Sequence, residues 1–451
     1  MSLNRRDILK VAGAAGVMSI TPSLVRAQVS SLYTDIEPSR NIMSTQKILS
    51  DLNTNRDVRE ELYKYFHRNP ELSLQEYKTA DKIEEELKSY GLEEVLRVSK
   101  TGVVGVIRNG EGPVVAMRGD IDGLPMEERS GRDYAAVGVT QIDEATGLET
   151  PVAHTCGHDV HIVSLLGATQ ALQDHRENWT GTFLAIFQPG EENAAGARAM
   201  VDAGIVDLLP KPDVYLGQHV LGSLPGGAVG TRSGALFSAA ASIEITIYGA
   251  GSHGSMPDLG VDPIVLGAAI VTRLQSIVSR EISPRETAVI TVGSFHSGSK
   301  SNIIPDSAVL QLNTRAFNKE VEKHLHEAIE RIVRAECEGA RSPKEPEFRY
   351  YDQYPLTENH EEPTVKVRAA FDKYFGENSV DMEPVPASED FSIIPDAFGS
   401  PYSYWGLGGF ADWKNAPGNH SPFFAPDIHP TLDRGIEAIV VAASPWLLKE
   451  S

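Results

Sequence analysis

Apolar positions recur along this chain in two periods, and the alternation between them predicts its layout. From Asp57 to Gly91 they fall at helical spacing, at Leu62, Phe66, Ala80, Ile83 and Leu87. A turn from His67 to Ser73 splits this stretch into two helices, and Gly91 supplies a stop. Short apolar runs then read as buried strands at Val103 to Ile107, Val114 to Met117, Thr182 to Phe187 and Val214 to Leu216. Helical spacing returns after His158 (Val160, Val163, Leu166, Leu172) and from Ala194 to Met200. At about Ser238 the pattern changes to strict alternation, with Ile243, Ile245 and Ile247 on one face. Next come a helix over Asp262 to Val278, strands over Thr287 to Val292 and Ala308 to Ala316, and a helix over Val321 to Glu338. Helices near Pro363 to Phe375 and Leu432 to Leu448 close the chain. The expected fold is α/β: a larger domain with a mixed sheet flanked by helices, formed by 46–237 and 346–451, into which a small α+β sandwich, 238–345, is inserted.

Composition narrows the field of partners. A length of 451 residues is too great for one core, and 41% apolar with 23% charged residues describes a soluble globular chain. The formal charge of −21 argues against nucleic acid and anionic membrane, which would repel it, and leaves a small molecule or short peptide as substrate. With two cysteines, Cys156 and Cys337, no disulfide framework is expected. Arg5 and Arg6, the Gly/Ala run to Ile20 and the small-residue pattern ending at Ala27 resemble a twin-arginine export signal. Residues 1–27 are therefore expected to be removed, and the protein to be periplasmic or secreted. The apolar run is too short to span a membrane.

Candidate chemistry collects where strands end. Val152 to His161 holds three histidines, a cysteine and Asp159, and Gly157 permits the tight turn that would let Cys156 and His158 face one ion. Asp120 and Asp122 follow one strand, Glu191 and Glu192 another, and His219 a third, the usual address of a site in an open α/β sheet. Aspartates in turns and acids at helix starts also have purely local uses. Cys156, His158, Glu192, His219 and His420 together exceed what one catalytic zinc takes, so two divalent ions sharing ligands fit better. Zinc suits a thiolate and imidazoles, and manganese, cobalt or nickel could serve.

Seven motifs stand in a telling order: MRGDIDGLP at 117–125, HTCGHDVH at 154–161, FQPGEE at 187–192, GSHGSMP at 251–257, SNIIPD at 301–306, SEDFS at 388–392 and NHSP at 419–422. From about Asp57 to Asp433 the chain resembles the zinc-dependent amidohydrolases of aminoacylase, hippurate hydrolase and indole-acetic-acid-amino-acid hydrolase type, within the wider clan of dinuclear carboxypeptidases. The resemblance implies metal ligation by Cys156, His158, Glu192, His219 and His420, with Glu191 as general base. It implies that His253 reaches a neighbouring subunit's site, so that the protein is a homodimer or larger, with the small domain as lid and dimerisation module. It makes Asn302 a substrate-binding residue. Arg315 is suited to a substrate carboxylate, and Asp120, Asp122 and Asp159 are expected to support the ligands from behind. The implied reaction cleaves an N-acyl-amino acid to a carboxylic acid and a free amino acid. A dipeptidase or carboxypeptidase on the same scaffold, or a non-catalytic binding protein, are the alternatives. Gly119, Gly123 and Gly190 stand where relatives commonly carry Ala, and the loop from Pro125 to His154 is longer than usual.

Overall fold

The computed structural model describes residues 38–448. Its contacts gather residues from Ser44 onward into one unit, which holds two main sheets and the helices packed on them. The expected export signal, 1–27, lies outside the described residues.

A continuous run of buried apolar residues favours a strand covered on both faces, and four such runs form the centre of an eight-stranded sheet. These are Gly181–Gln188, Val114–Asp120, Val214–Pro225 and Tyr402–Phe410, mutually parallel and neighbours in that order. Gly102–Asn109 and then Glu94–Val98 extend one side, each antiparallel to its neighbour; on the other side Val229–Thr231 runs antiparallel to Tyr402–Phe410, and Ser379–Asp381 runs parallel to Val229–Thr231. One face packs on helices Arg56–Arg68, Tyr77–Ser89, His158–Asp174, Glu361–Phe375 and Ile428–Leu447. The opposite face is covered by Gly196–Asp202, Ile205–Leu208 and Ile393–Phe398. The expected mixed sheet between helices is present.

A second, antiparallel sheet runs in the order Ala288–His296, Ser307–Ala316, Ala239–Tyr248, Glu347–Tyr354. Its inner face, including Ile243, Ile245, Ile247, Leu310 and Leu312, is closed by helices Pro263–Ser276 and Lys319–Gly339. Local sequence places both helix starts, because the side chains of Asp262 and Asn318 accept hydrogen bonds from the first-turn amides. The chain leaves the first sheet along Gly234–Phe237 and returns along Thr357–Asn359, and these two crossings pair with each other.

Among the strands that the apolar pattern does not foresee are two long ones. Glu347–Tyr354 lies past the boundary expected at 345; it is an edge strand, so its polar EFRYYDQY pattern carries no apolar alternation. Tyr402–Phe410 is entirely buried, but its three glycines mimic a loop. The segment 126–151, expected to be irregular, contains a hairpin of Thr140–Ile142 and Glu149–Pro151. No helix among the described residues is long and apolar enough to cross a membrane.

Candidate metal centre

The parallel strands aim their carboxyl ends at one place, and the ligand-type residues converge there. Gly157 adopts φ +89, and a Cβ on it would lie 2.4 Å from a Val220 methyl, so the turn between Cys156 and His158 needs glycine. The helix His158–Asp174 begins at once after that turn. Donor atoms of Cys156, His158 and His219 lie within 4.8 Å of one another, and so do those of Cys156, Glu192 and His420 and those of His158, Glu191 and Glu192. Cys156 belongs to two of these groups. Its Sγ is 3.5 Å from His219 Nε2, and Glu192 Oε1 lies 3.3 Å from His420 Nε2 and 3.7 Å from His158 Nε2. His420 is held at φ +67, a strained setting for a non-glycine residue, by its N–H donating to Thr155 O at 2.9 Å. The Asn419 amide beside it donates to the carbonyls of Cys156 and Val220, both at 3.0 Å.

Backbone carbonyls fix the imidazole tautomers. His158 Nδ1 donates to the Asp122 carbonyl at 3.0 Å and faces Asp122 Oδ1 at 3.1 Å, which leaves Nε2 turned into the cluster. His219 Nδ1 donates to Val220 O at 2.8 Å, with the same result. Among the described residues, two buried atoms here, His158 Nε2 and Glu192 Oε1, have no hydrogen-bond partner. Buried polar atoms are nearly always partnered, so a pair of orphans among a thiol, imidazoles and carboxylates fits a bound cation. His161 is closed to that role, because its Nε2 accepts from Val220 N at 2.9 Å and its Nδ1 is bonded to Asp120.

The electrostatics point the same way. Burial lowers the His158 pKa, but Asp120, Asp122 and Glu192 outweigh it and hold the group at about 10, the mark of a pocket that attracts a positive charge. Burial pushes His219 well below the usual range, keeping it a neutral donor. It pushes the Cys156 thiol and the Glu191 carboxyl well above theirs, helped by Glu192 in both cases and by Glu389 and Asp390 for Glu191. A divalent cation in the cluster would act in the opposite sense on both.

Behind the ligands lies a buried ionic network that local sequence does not disclose. Arg118, 1% exposed, donates to Asp120 at 2.6 Å, Glu389 at 2.8 Å, Asp390 at 3.2 Å and Gln188 at 3.0 Å. Tyr404 donates to Glu389 at 2.9 Å. Burial raises Asp390 to about 8 against the pull of Arg118. One guanidinium thus stabilises the aspartate that orients His161 and two acids of the SEDFS motif. An arginine in the middle of an apolar strand is the one signal of it in the sequence.

The remaining expected residues divide. Asp122 is joined to His158, to Ser73 Oγ at 2.6 Å and to Glu192 N at 3.0 Å. Asp159, expected to act beside it, instead pairs with buried His67 at 2.6 Å, which also meets Glu128 at 3.0 Å. By sequence alone His67 is only the start of a turn. His253 and Asn302 are exposed and lie together, with Gly254 N donating to Asn302 O at 2.8 Å and His253 paired opposite Ile303. Among the described residues neither hydrogen-bonds a member of the cluster. Arg315 spends one nitrogen on this chain, donating from Nη1 to Pro386 O at 2.7 Å and Ser388 Oγ at 3.1 Å.

Peptidase family M20/M25/M40 matches residues 116–443. The chain belongs to this family. It is 33% identical over 380 residues to the N-acetylcysteine deacetylase of Bacillus subtilis, covering 84% of this chain and 92% of the relative. It is 34% identical over 388 residues to thermostable carboxypeptidase 2 of Saccharolobus solfataricus, covering 85% and 94%. A dinuclear metal-binding M20 peptidase of Bacillus subtilis has a similar structure, with TM-score 0.72 and 28% identity over 87% of this chain and 98% of the other. Within this M20 frame, Gly190 is the most constrained of the three unusual glycines, with φ +54 and a Leu74 methyl 2.7 Å from where a Cβ would sit. The long loop after Pro125 packs on the His420 segment, with Arg129 N donating to Pro422 O at 2.6 Å.

Proposed function

We propose that this M20 protein is a metal-dependent amidohydrolase that uses two divalent ions to cleave an N-acyl-amino acid into a carboxylic acid and a free amino acid. The observation that carries the reading is the overlap of two donor groups at Cys156, one with His158 and His219 and the other with Glu192 and His420. A shared thiolate and five ligands suit two ions, and zinc suits this donor set. When bound, such ions polarise a scissile carbonyl and acidify a water. Glu191, next to a ligand in sequence but free of that duty, takes the proton of the attacking water and passes it to the leaving amine. His253, exposed and remote from its own cluster's hydrogen bonds, is suited to serve the site of a second subunit, which makes the working protein a dimer. Asn302 beside it would bind substrate there. Export by the twin-arginine route suits a protein that folds around its metal before crossing. The test is a screen of N-acetyl and N-benzoyl amino acids with the zinc- or manganese-reconstituted protein lacking residues 1–27. No turnover of any of them, with both ions bound, defeats the reading. A carboxypeptidase is the second reading, supported by the 34% identity to a protein of that name; faster turnover of dipeptides or longer peptides than of acyl-amino acids would favour it.

A further inference from the structure

The peptide between Glu191 and Glu192 sits in a turn with left-handed backbone on either side. Gly190 and Ala194 both have positive φ, +54 and +56. Three buried carboxylates hold the turn's amides: Glu76 accepts from Gly190 N at 2.8 Å, Asp122 from Glu192 N at 3.0 Å and Asp390 from Ala197 N at 3.0 Å. The Glu191 carbonyl takes the Ala194 amide at 3.0 Å within the turn. It also takes the hydroxyl of Tyr354, at 3.2 Å, which arrives from the other sheet.

Tyr354 reaches this carbonyl through an irregularity in its strand. Ser242 pairs with Tyr351, but Ala240 pairs with Tyr354, so one extra residue is inserted between them, and Asp352 has φ +43. A bulge of this kind reverses the facing of the residues beyond it. Phe348 and Tyr350 pack against the helices that close the inner face. Past the bulge, Tyr354 shares the outer face with Ala240, and Arg315 stands across Ala240 on the opposite side. With only a methyl between them, these two side chains reach from one rung of the sheet into the loops of the metal centre, Arg315 to Pro386 and Ser388, Tyr354 to Glu191. Bulges beside active sites commonly serve to re-aim a side chain.

We infer that Tyr354 is a positioning residue for the hydrolase: its hydroxyl fixes the plane of the Glu191–Glu192 peptide and so aims Glu191 at the water and Glu192 at the metal. The inference rests on the proposed roles of those two acids as base and ligand. Tyr354→Phe removes the hydroxyl and keeps the ring. With the full-length mature protein, the variant is expected to lose about tenfold in kcat with KM within about twofold. It is also expected to shift the visible absorption spectrum of the cobalt-loaded protein, since Glu192 would meet the ion at another angle. Near-wild-type kcat with an unchanged cobalt spectrum overturns the inference, as does a loss seen in Tyr354→Leu but not in Tyr354→Phe, which would assign the effect to ring packing. If the wild-type protein binds cobalt yet hydrolyses no acyl-amino acid, the hydrolase reading fails by itself, and the cobalt spectrum of Tyr354→Phe alone decides for or against the positioning role.

Discussion

At Glu191 and Glu192 two neighbouring carboxylates have different surroundings, and that difference is the residue-scale basis of the proposed chemistry. Both lie near His158 Nε2, Glu192 at 3.7 Å and Glu191 at 4.0 Å, but Glu192 also shares a donor group with Cys156 and His420, and Glu191 is buried among other acids. Glu191→Gln keeps the shape and removes the proposed base. It should retain both ions by metal analysis and lose a factor of about 10² to 10⁴ in kcat; activity near that of the wild type would sink the general-base role. At Gly157 the constraint is conformational. Gly157→Ala forces a side chain into φ +89 against Val220. It should lower the unfolding free energy by about 2–4 kcal/mol and reduce bound metal, as read by urea denaturation and metal analysis.

At the scale of elements, the buried His67 ties the helix Arg56–Arg68 to the helix His158–Asp174 and to the loop after Pro125. Burial lowers the His67 pKa, but Asp159 and Glu128 outweigh it and hold the group at about 9, against an ordinary value of 6.5. A folded-state pKa above the unfolded one stabilises the fold fully below pH 6.5 and loses that contribution as pH rises through about 9. Asp159 and Glu128 are held below their usual values and stay ionised across this window. The stability difference between wild type and His67→Gln should therefore shrink by about 3 kcal/mol between pH 6.5 and pH 9.5, followed by urea unfolding. A constant difference would mean that His67 is neutral in the folded protein. The same elements show what sequence could convey. The His158 helix and its Gly157 start were legible because glycine and apolar spacing act locally. The direction of Asp159 was not, since its partner lies 92 residues away in sequence.

At the scale of the whole molecule, two sheets with separate cores are joined by paired crossings and by two outer-face side chains, Arg315 and Tyr354. His253 and Asn302 lie in the second part and, among the described residues, hydrogen-bond none of the candidate ligands. If they serve a partner subunit, mixing Glu191→Gln with His253→Ala should restore part of the activity that each variant lacks alone, up to about a quarter of wild type for random dimers of fully inactive parents. No recovery, with subunit exchange shown by a tagged variant, would place His253 outside catalysis.

The amino-acid sequence by itself determined the donor types, the loops that carry them and the alternation of helices and strands, because ligand chemistry, turn glycines and apolar period are properties of short segments. Cys156, His158, Glu192, His219 and His420 could all be named from it, and the structure brings their donor atoms together. Only the tertiary structure decided which charges meet. Arg118 finds Glu389 across 271 residues, and Asp159 turns to His67 instead of the ligands. Tyr354 reaches Glu191 because one inserted residue reverses its strand. The facing of a side chain depends on strand register and on what packs opposite, and no local pattern encodes either.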